Sequence, residues 1–231
     1  MKNVICVYDF ETDSPDPLTC NPVQLAACII SNMSLEIIPD SNFCIEMRPL
    51  DMDDPTYVDR HRSTIDWHAK NYGVEPDEII KKWGGSVQQS EAWKQFTTYL
   101  GKYNAKQSHK GRWDAPIRAG ANIVKFDNLI IDRLAKAYGN VTKDGEQTIF
   151  YPRDIIDTKD IAFCWFESLP EPQSYSVDAL RKYFDMPPGG HDAIKDVTDT
   201  AWMVQKFFRL FRKIAPKVDF AGAYSRKEEV V

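Results

Sequence analysis

Three apolar, β-branched runs crowd into the first 47 residues, and the rest of the chain alternates between helix and strand character; few architectures accept that order. Residues 3–8 (N-V-I-C-V-Y) read as a buried strand that ends at Asp9. Pro15, Pro17 and Pro22 break any helix after it, and residues 23–31 and 35–47 read as two further strands of a meander. Ser63, Thr64, Ile65 and Asp66 have the form of a capping box, which predicts a helix over 67–72. Further helices are predicted over 76–83 and 88–103, then a short strand over 119–124 running straight into a helix over 126–138. A turn-rich stretch over 139–152 leads to a weak strand over 154–156 and helices over 158–166 and 176–184.

Pro187, Pro188, Gly189 and Gly190 stop the chain sharply before a last helix over 191–213. Its apolar residues Val197, Ala201, Val204, Phe208 and Phe211 recur at three- and four-residue intervals, so one face is core. Residues 216–231 read as a tail to a single domain over 1–215. Strands first and alternation afterwards predict an α/β fold: a mixed five-stranded sheet with helices on both faces.

Composition narrows the function classes. Net charge is −5, which argues against a protein that coats nucleic acid by electrostatics alone, though not against one that gathers carboxylates around cations. Locally the balance differs: Lys106, His109, Lys110, Arg112 and Arg118 face a single opposing Asp114, and Lys206, Arg209, Arg212, Lys213 and Lys217 cluster near the end. Five scattered cysteines with no C-x-x-C spacing predict reduced thiols rather than zinc or disulfides. No stretch is apolar for long enough to span a bilayer, and the N-terminus turns acidic before a signal-peptide core can form. The expected location is the cytoplasm, with no membrane partner.

Asp9 and Glu11 stand two apart at a predicted strand end, so their side chains leave the same face and repel unless a cation lies between them. An exposed pair of loop acids is the commoner fate of such a spacing. Asp127 follows an apolar strand and opens a helix, where the helix dipole alone would favour it. Asp196 immediately precedes the buried stripe of the last helix, and His191 lies five residues earlier at the end of the Pro-Gly stop.

Taken together, D-F-E-T at 9–12, N-x-x-x-F-D at 122–127 and H-D-A-x-x-D at 191–196 resemble the DEDD exonuclease superfamily in its DEDDh branch. That branch includes polymerase proofreading exonucleases, RNase T, oligoribonuclease and bacterial exonuclease I. The resemblance covers residues 3–212, with Asp157-Thr158 and S-V-D-A-L at 176–180 in support. Where many relatives have His-Asn or Gly-His-Asn, this chain has Gly120-Ala121 before Asn122.

The resemblance implies an RNase H-like fold and a 3′→5′ exonuclease that releases nucleoside monophosphates with two divalent cations, Mg²⁺ or Mn²⁺. Asp9 would bridge the two ions, Glu11 and Asp196 would complete the first, and Asp127 would hold the second largely through water. His191 would take the proton from the attacking water. Thr12 and Asn122 are expected near the terminal sugar and its surroundings. Trp67, with His68 and Tyr72, offers aromatic surface for the unstacked base, and Arg118, Lys125 and Arg112 are expected along the backbone path. The expected partner is a single-stranded 3′ end, DNA over RNA; an exoribonuclease and a non-catalytic nucleic-acid-binding module are the alternatives. A homodimer or replication-complex partner stays open.

Overall fold

The first strand explains most of the architecture. In β1 (Ile5–Thr12), side chains alternate between two cores. Cys6, Tyr8 and Phe10 enter a large aromatic core with Leu25, Ala27 and Ile29 of β2 (Pro22–Ile30). Ile5 and Val7 enter a second core with Ala26, Cys28 and Ile30. Buried on both faces, β1 and β2 need helices on both faces, because each apolar side chain withdrawn from water contributes about 1.5–3 kcal/mol.

The computed structural model describes residues 3–106, 111–189 and 192–218. Its sheet has the order β4-β3-β2-β1-β5-β6. β1, β2 and β3 (Phe43–Arg48) form an antiparallel meander, while β5 (Ile117–Gly120) and β6 (Ile155–Asp157) add in parallel beyond β1. A two-residue strand, β4 (Val87–Gln88), pairs parallel with β3 at the far edge and makes a sixth beside the five expected. α3 (Gln89–Gly101) and α4 (Asp127–Ala137) cover the aromatic core, and α7 (Ala193–Val218) covers the other face through Ala193, Val197, Ala201 and Val204. The expected mixed α/β sheet is therefore present.

Two small apolar clusters carry the remaining helices. α1 (Tyr57–Tyr72) and α2 (Pro76–Gly85) pack through Tyr57, Ile65, Ala69, Ile79 and Trp83. α5 (Thr158–Phe166) and α6 (Val177–Tyr183) pack on α7 through Ala162, Leu180, Met203 and Phe207. Among the described residues, no helix is long and apolar enough to cross a membrane.

Several boundaries differ from expectation for identifiable reasons. α1 begins at Tyr57, so Ser63 and Asp66 lie inside it rather than capping it. The earlier start is fixed by Tyr57, which is fully buried and donates its hydroxyl hydrogen bond to Asp13 Oδ2 at 3.0 Å. The third strand is confined to Phe43–Arg48 because Leu35 and Asp40 take left-handed backbone (φ 59° and 56°) and Pro39 has no N–H. β5 ends at Gly120 rather than continuing to 124, since Asn122 is also left-handed (φ 59°). α7 carries Pro216 and ends at Val218, so the expected start of a tail at 216 falls within the helix. Phe211, expected on the core stripe, is 37% exposed and rests against Trp165.

Candidate active site

The parity of β1 carries over from packing to chemistry. Asp9 and Glu11 continue the series of Ile5 and Val7, so they leave the sheet on the side covered by α7. On α7, Asp196 precedes the buried Val197 at the end of the helix nearest them. As a result Asp9, Glu11 and Asp196 each bring a carboxylate oxygen within 4.8 Å of the others. Three acids from the first strand and the last helix thus meet at one half-buried point.

Asp127 approaches from a third direction. It opens α4, is 3% exposed, and its Oδ1 accepts a 2.9 Å hydrogen bond from the backbone N–H of Phe10, the residue between the two β1 acids. The loop before it is held by one carboxylate. Asp157, at the end of β6, accepts from the N–H groups of Asn122 (2.9 Å), Val124 (3.2 Å) and Lys159 (3.0 Å). This fixes the 121–126 turn and caps α5.

Crowding carboxylates in a partly dry place disfavours their ionised forms. Burial first, then the charges of Asp127, Glu11 and Asp196, hold the Asp9 carboxyl well above the usual range, against the opposing pull of Arg181. Glu11 is pushed up to about 7 by burial and by Asp196, Asp127 and Asp192. Burial also pushes Asp127 up to about 7, outweighing its bond from the Phe10 N–H. An all-oxygen set of mutually repelling acids suits a hard divalent cation, which would relieve the repulsion.

The raised carboxyls have a measurable consequence for stability. An acid whose folded pKa is raised favours the folded state most below the unfolded carboxylate values, near about 4, and that contribution is lost as pH rises through the folded value. For Glu11 and Asp127 the loss runs up to about pH 7. In a chelator, the melting temperature should therefore fall between pH 5.5 and pH 8, and saturating Mn²⁺ should reverse the trend by favouring the ionised acids. Calorimetric melts at the two pH values, with and without Mn²⁺, test this; a chelated protein that melts at the same temperature at both contradicts it.

A cavity of about 440 Å³ opens beside the acids. Phe10, Glu11, Thr12, Trp67, His68 and Phe126 line it, along with Ser63 and Thr64 of α1. Trp67 is 43% exposed and meets His68 edge-on at 4.9 Å. His68 is buried, with Nε2 3.0 Å from the Thr12 carbonyl oxygen, and it stacks on Tyr72. Thr12 is itself buried and donates its hydroxyl to the Ser14 carbonyl at 2.8 Å. The Tyr72 hydroxyl is held protonated by burial and by the negative field of Glu11, Glu46, Asp192 and Asp196.

The structure brings Asp9, Glu11 and Asp196 to one point, holds Asp127 on the backbone N–H of Phe10 between the two β1 acids, and puts Thr12 and Trp67 on the adjoining cavity. Other expected residues lie elsewhere. Arg118 is 7% exposed, bonds Asn128, and lines a separate cavity with Asp132 and Lys136. Arg112 pairs with Glu146 in the same region. Lys125 is exposed on the 121–126 turn, and Asn122 is bound through its backbone to Asp157 with Lys159 Nζ 3.4 Å from its Oδ1. His191 lies outside the described residues, as do His109 and Lys110. Of the C-terminal cations, Arg209 pairs with Glu36 and Arg212 bonds Asn32. Phe10 and Phe126 lie within the D-F-E-T and N-x-x-x-F-D motifs, whereas Ser63 and Thr64 read from sequence only as a helix cap, and the early start of α1 is what brings them to the cavity.

No protein-family model and no curated protein matches the sequence. Solved structures do. E. coli exonuclease I in complex with a dT13 oligonucleotide aligns over 94% of this chain and 43% of its own, at a TM-score of 0.64 and 15% identity. The zinc-bound E. coli exonuclease I–ssDNA complex aligns over 94% and 42%, at 0.64 and 17%. A product-bound exonuclease I structure aligns over 94% and 45%, at 0.60 and 16%. The chain therefore has the exonuclease I nuclease fold, and it spans less than half the length of those chains.

Proposed function

We propose that this protein is a metal-dependent 3′→5′ exonuclease of the DEDDh type that releases nucleoside monophosphates from single-stranded DNA. The observation that carries the reading is the meeting of Asp9, Glu11 and Asp196 within 4.8 Å, with Asp127 hydrogen-bonded between the first two and an aromatic cavity alongside. Asp9, Glu11 and Asp196 would hold a divalent cation, Mg²⁺ or Mn²⁺. Asp9 and Asp127 would hold a second cation, with Asp127 acting largely through water while its Oδ1 keeps the bond from the Phe10 N–H. When bound, the two cations supply the positive charge that phosphodiester hydrolysis needs at its attacking and leaving oxygens.

The chain's own residues do the rest. Trp67 and Phe126 offer apolar surface for a terminal base, since single strands are gripped largely by stacking. Thr12 lies where the cavity meets the acids and is the candidate sugar contact. His191 takes the proton of the attacking water. DNA is preferred over RNA because exonuclease I, whose fold this chain shares, has been solved with single-stranded DNA.

The test is degradation of 5′-labelled single-stranded DNA and RNA of one sequence, with Mg²⁺, with Mn²⁺ and with a chelator. Stepwise shortening from the 3′ end, faster on DNA and absent with the chelator, is expected. Preferential shortening of RNA would move the substrate to the exoribonuclease class. Failure to shorten either polymer with any metal would sink the enzyme reading.

A further inference from the structure

Arg181 has an unusual setting for an arginine. Its side chain is 3% exposed, and each nitrogen of its guanidinium meets a different carboxylate. Nη2 donates to Asp196 Oδ1 at 2.6 Å, Nε to Asp199 Oδ2 at 2.8 Å, and Nη1 to Asp178 Oδ1 at 2.8 Å. Asp199 is held in turn by Lys195 at 2.8 Å. Three carboxylates on one cation are more acid than charge balance requires, and a buried ion pair is in general weak evidence for stability. What a planar, forked cation does supply is orientation: two of its bonds fix the group on the third.

The backbone beside it shows how closely the guanidinium is held. A Cβ added at Gly189 would collide with Arg181 Nη1 and lie 2.8 Å from Cζ. The chain just before α7 therefore rests on the guanidinium, and glycine leaves the room for it. With Asp178 and Asp199 on two sides and Gly189 against Nη1, Arg181 cannot turn away from Asp196. Asp196 keeps its other oxygen and further lone pairs for another partner.

We propose that Arg181 is the positioning residue of the acid cluster: it fixes the Asp196 carboxylate in the orientation that binds the cation, and so sets metal affinity. This rests on the reading of Asp9, Glu11 and Asp196 as metal ligands. Residues that hold a ligand in place act on affinity as well as on rate, and losing one typically costs about 10–100-fold in metal affinity.

The experiment is titration calorimetry of Mn²⁺ into the whole chain, wild type against Arg181→Gln, Arg181→Lys and Gly189→Ala, with a chelated melt of each. Arg181→Gln should weaken Mn²⁺ binding by about 10–100-fold. Arg181→Lys keeps the charge without the fork and should recover part of the loss. Gly189→Ala removes no charge but pushes the guanidinium from Asp196, and it should weaken binding in the same direction. If Arg181→Gln does not fold, Gly189→Ala carries the test. A folded variant with Mn²⁺ affinity within twofold of wild type would reduce Arg181 to a structural pin between α6 and α7. Tighter binding would make it only a competing charge, and either result overturns the proposal. A wild-type protein that binds no Mn²⁺ would instead overturn the ligand reading beneath it, and the proposal with it.

Discussion

Asp9→Asn should reduce hydrolysis by about 10³-fold or more while leaving the protein folded. Asp9 belongs to the heart of the cluster: its carboxyl feels Asp127, Glu11 and Asp196 together. An amide of the same shape keeps the packing of β1, where Asp9 pairs with Ala26, but it cannot ionise to hold a cation. Charge stabilisation by a bound metal is worth several kcal/mol, and each 1.36 kcal/mol is tenfold in rate. The fold should not suffer, because the substitution removes a group that repels three neighbours. In a chelator the variant should melt at or above the wild-type temperature, a gain of about 1 kcal/mol appearing as roughly 2–4 °C for a chain of this size. Release of labelled mononucleotide and a chelated melt check both halves. An active variant would remove Asp9 from the chemistry, and a variant that melts well below wild type would make it a structural acid.

The residues that are easy to place from sequence are those whose position comes from local periodicity. Alternation along β1 puts Asp9 and Glu11 on one face, and the three-to-four spacing on α7 puts Asp196 at the edge of the buried stripe. What periodicity cannot give is which elements lie face to face. Arg118 belongs to a basic run in sequence, yet its place on β5 turns it toward Asn128, Asp132 and Lys136, away from the acids. Tyr57 falls outside the helix expected over 67–72, because the buried Asp13 that accepts its hydroxyl is 44 residues away.

Arg181 escapes a sequence reading for the same reason. Its partners Asp196 and Asp199 become neighbours only when α6 packs on α7 through Leu180 and Met203. A signal does exist: Asp178 and Arg181 share one helix face at i, i+3, as do Asp196 and Asp199, with both pairs beside apolar positions. Two charged pairs at core-flanking positions on consecutive helices are worth testing as one network.

His191→Ala should lower kcat by roughly 10²–10⁴-fold, the range for losing a positioned general base, with Mn²⁺ affinity changed by no more than about twofold. The contrast comes from where the residue stands in the chain. It lies between Gly189, seated on Arg181, and Asp192, whose Oδ1 accepts from the N–H of Lys195 at the start of α7. The trio of acids proposed to hold the cation is Asp9, Glu11 and Asp196, and removing the imidazole is expected to leave those three carboxylates in place. A pH profile separates a base from a ligand. At saturating Mn²⁺ the acids are held ionised, so an acidic limb in kcat near neutral pH reports the histidine, whose ordinary value is about 6.5. That limb should disappear in His191→Ala, leaving a low rate flat across pH 6–8. If the variant keeps full activity, water is activated by another group. If it keeps the limb at reduced rate, the titrating group is one of the acids, with Glu11 and Asp127, each pushed up to about 7 in the metal-free protein, the next to be tested.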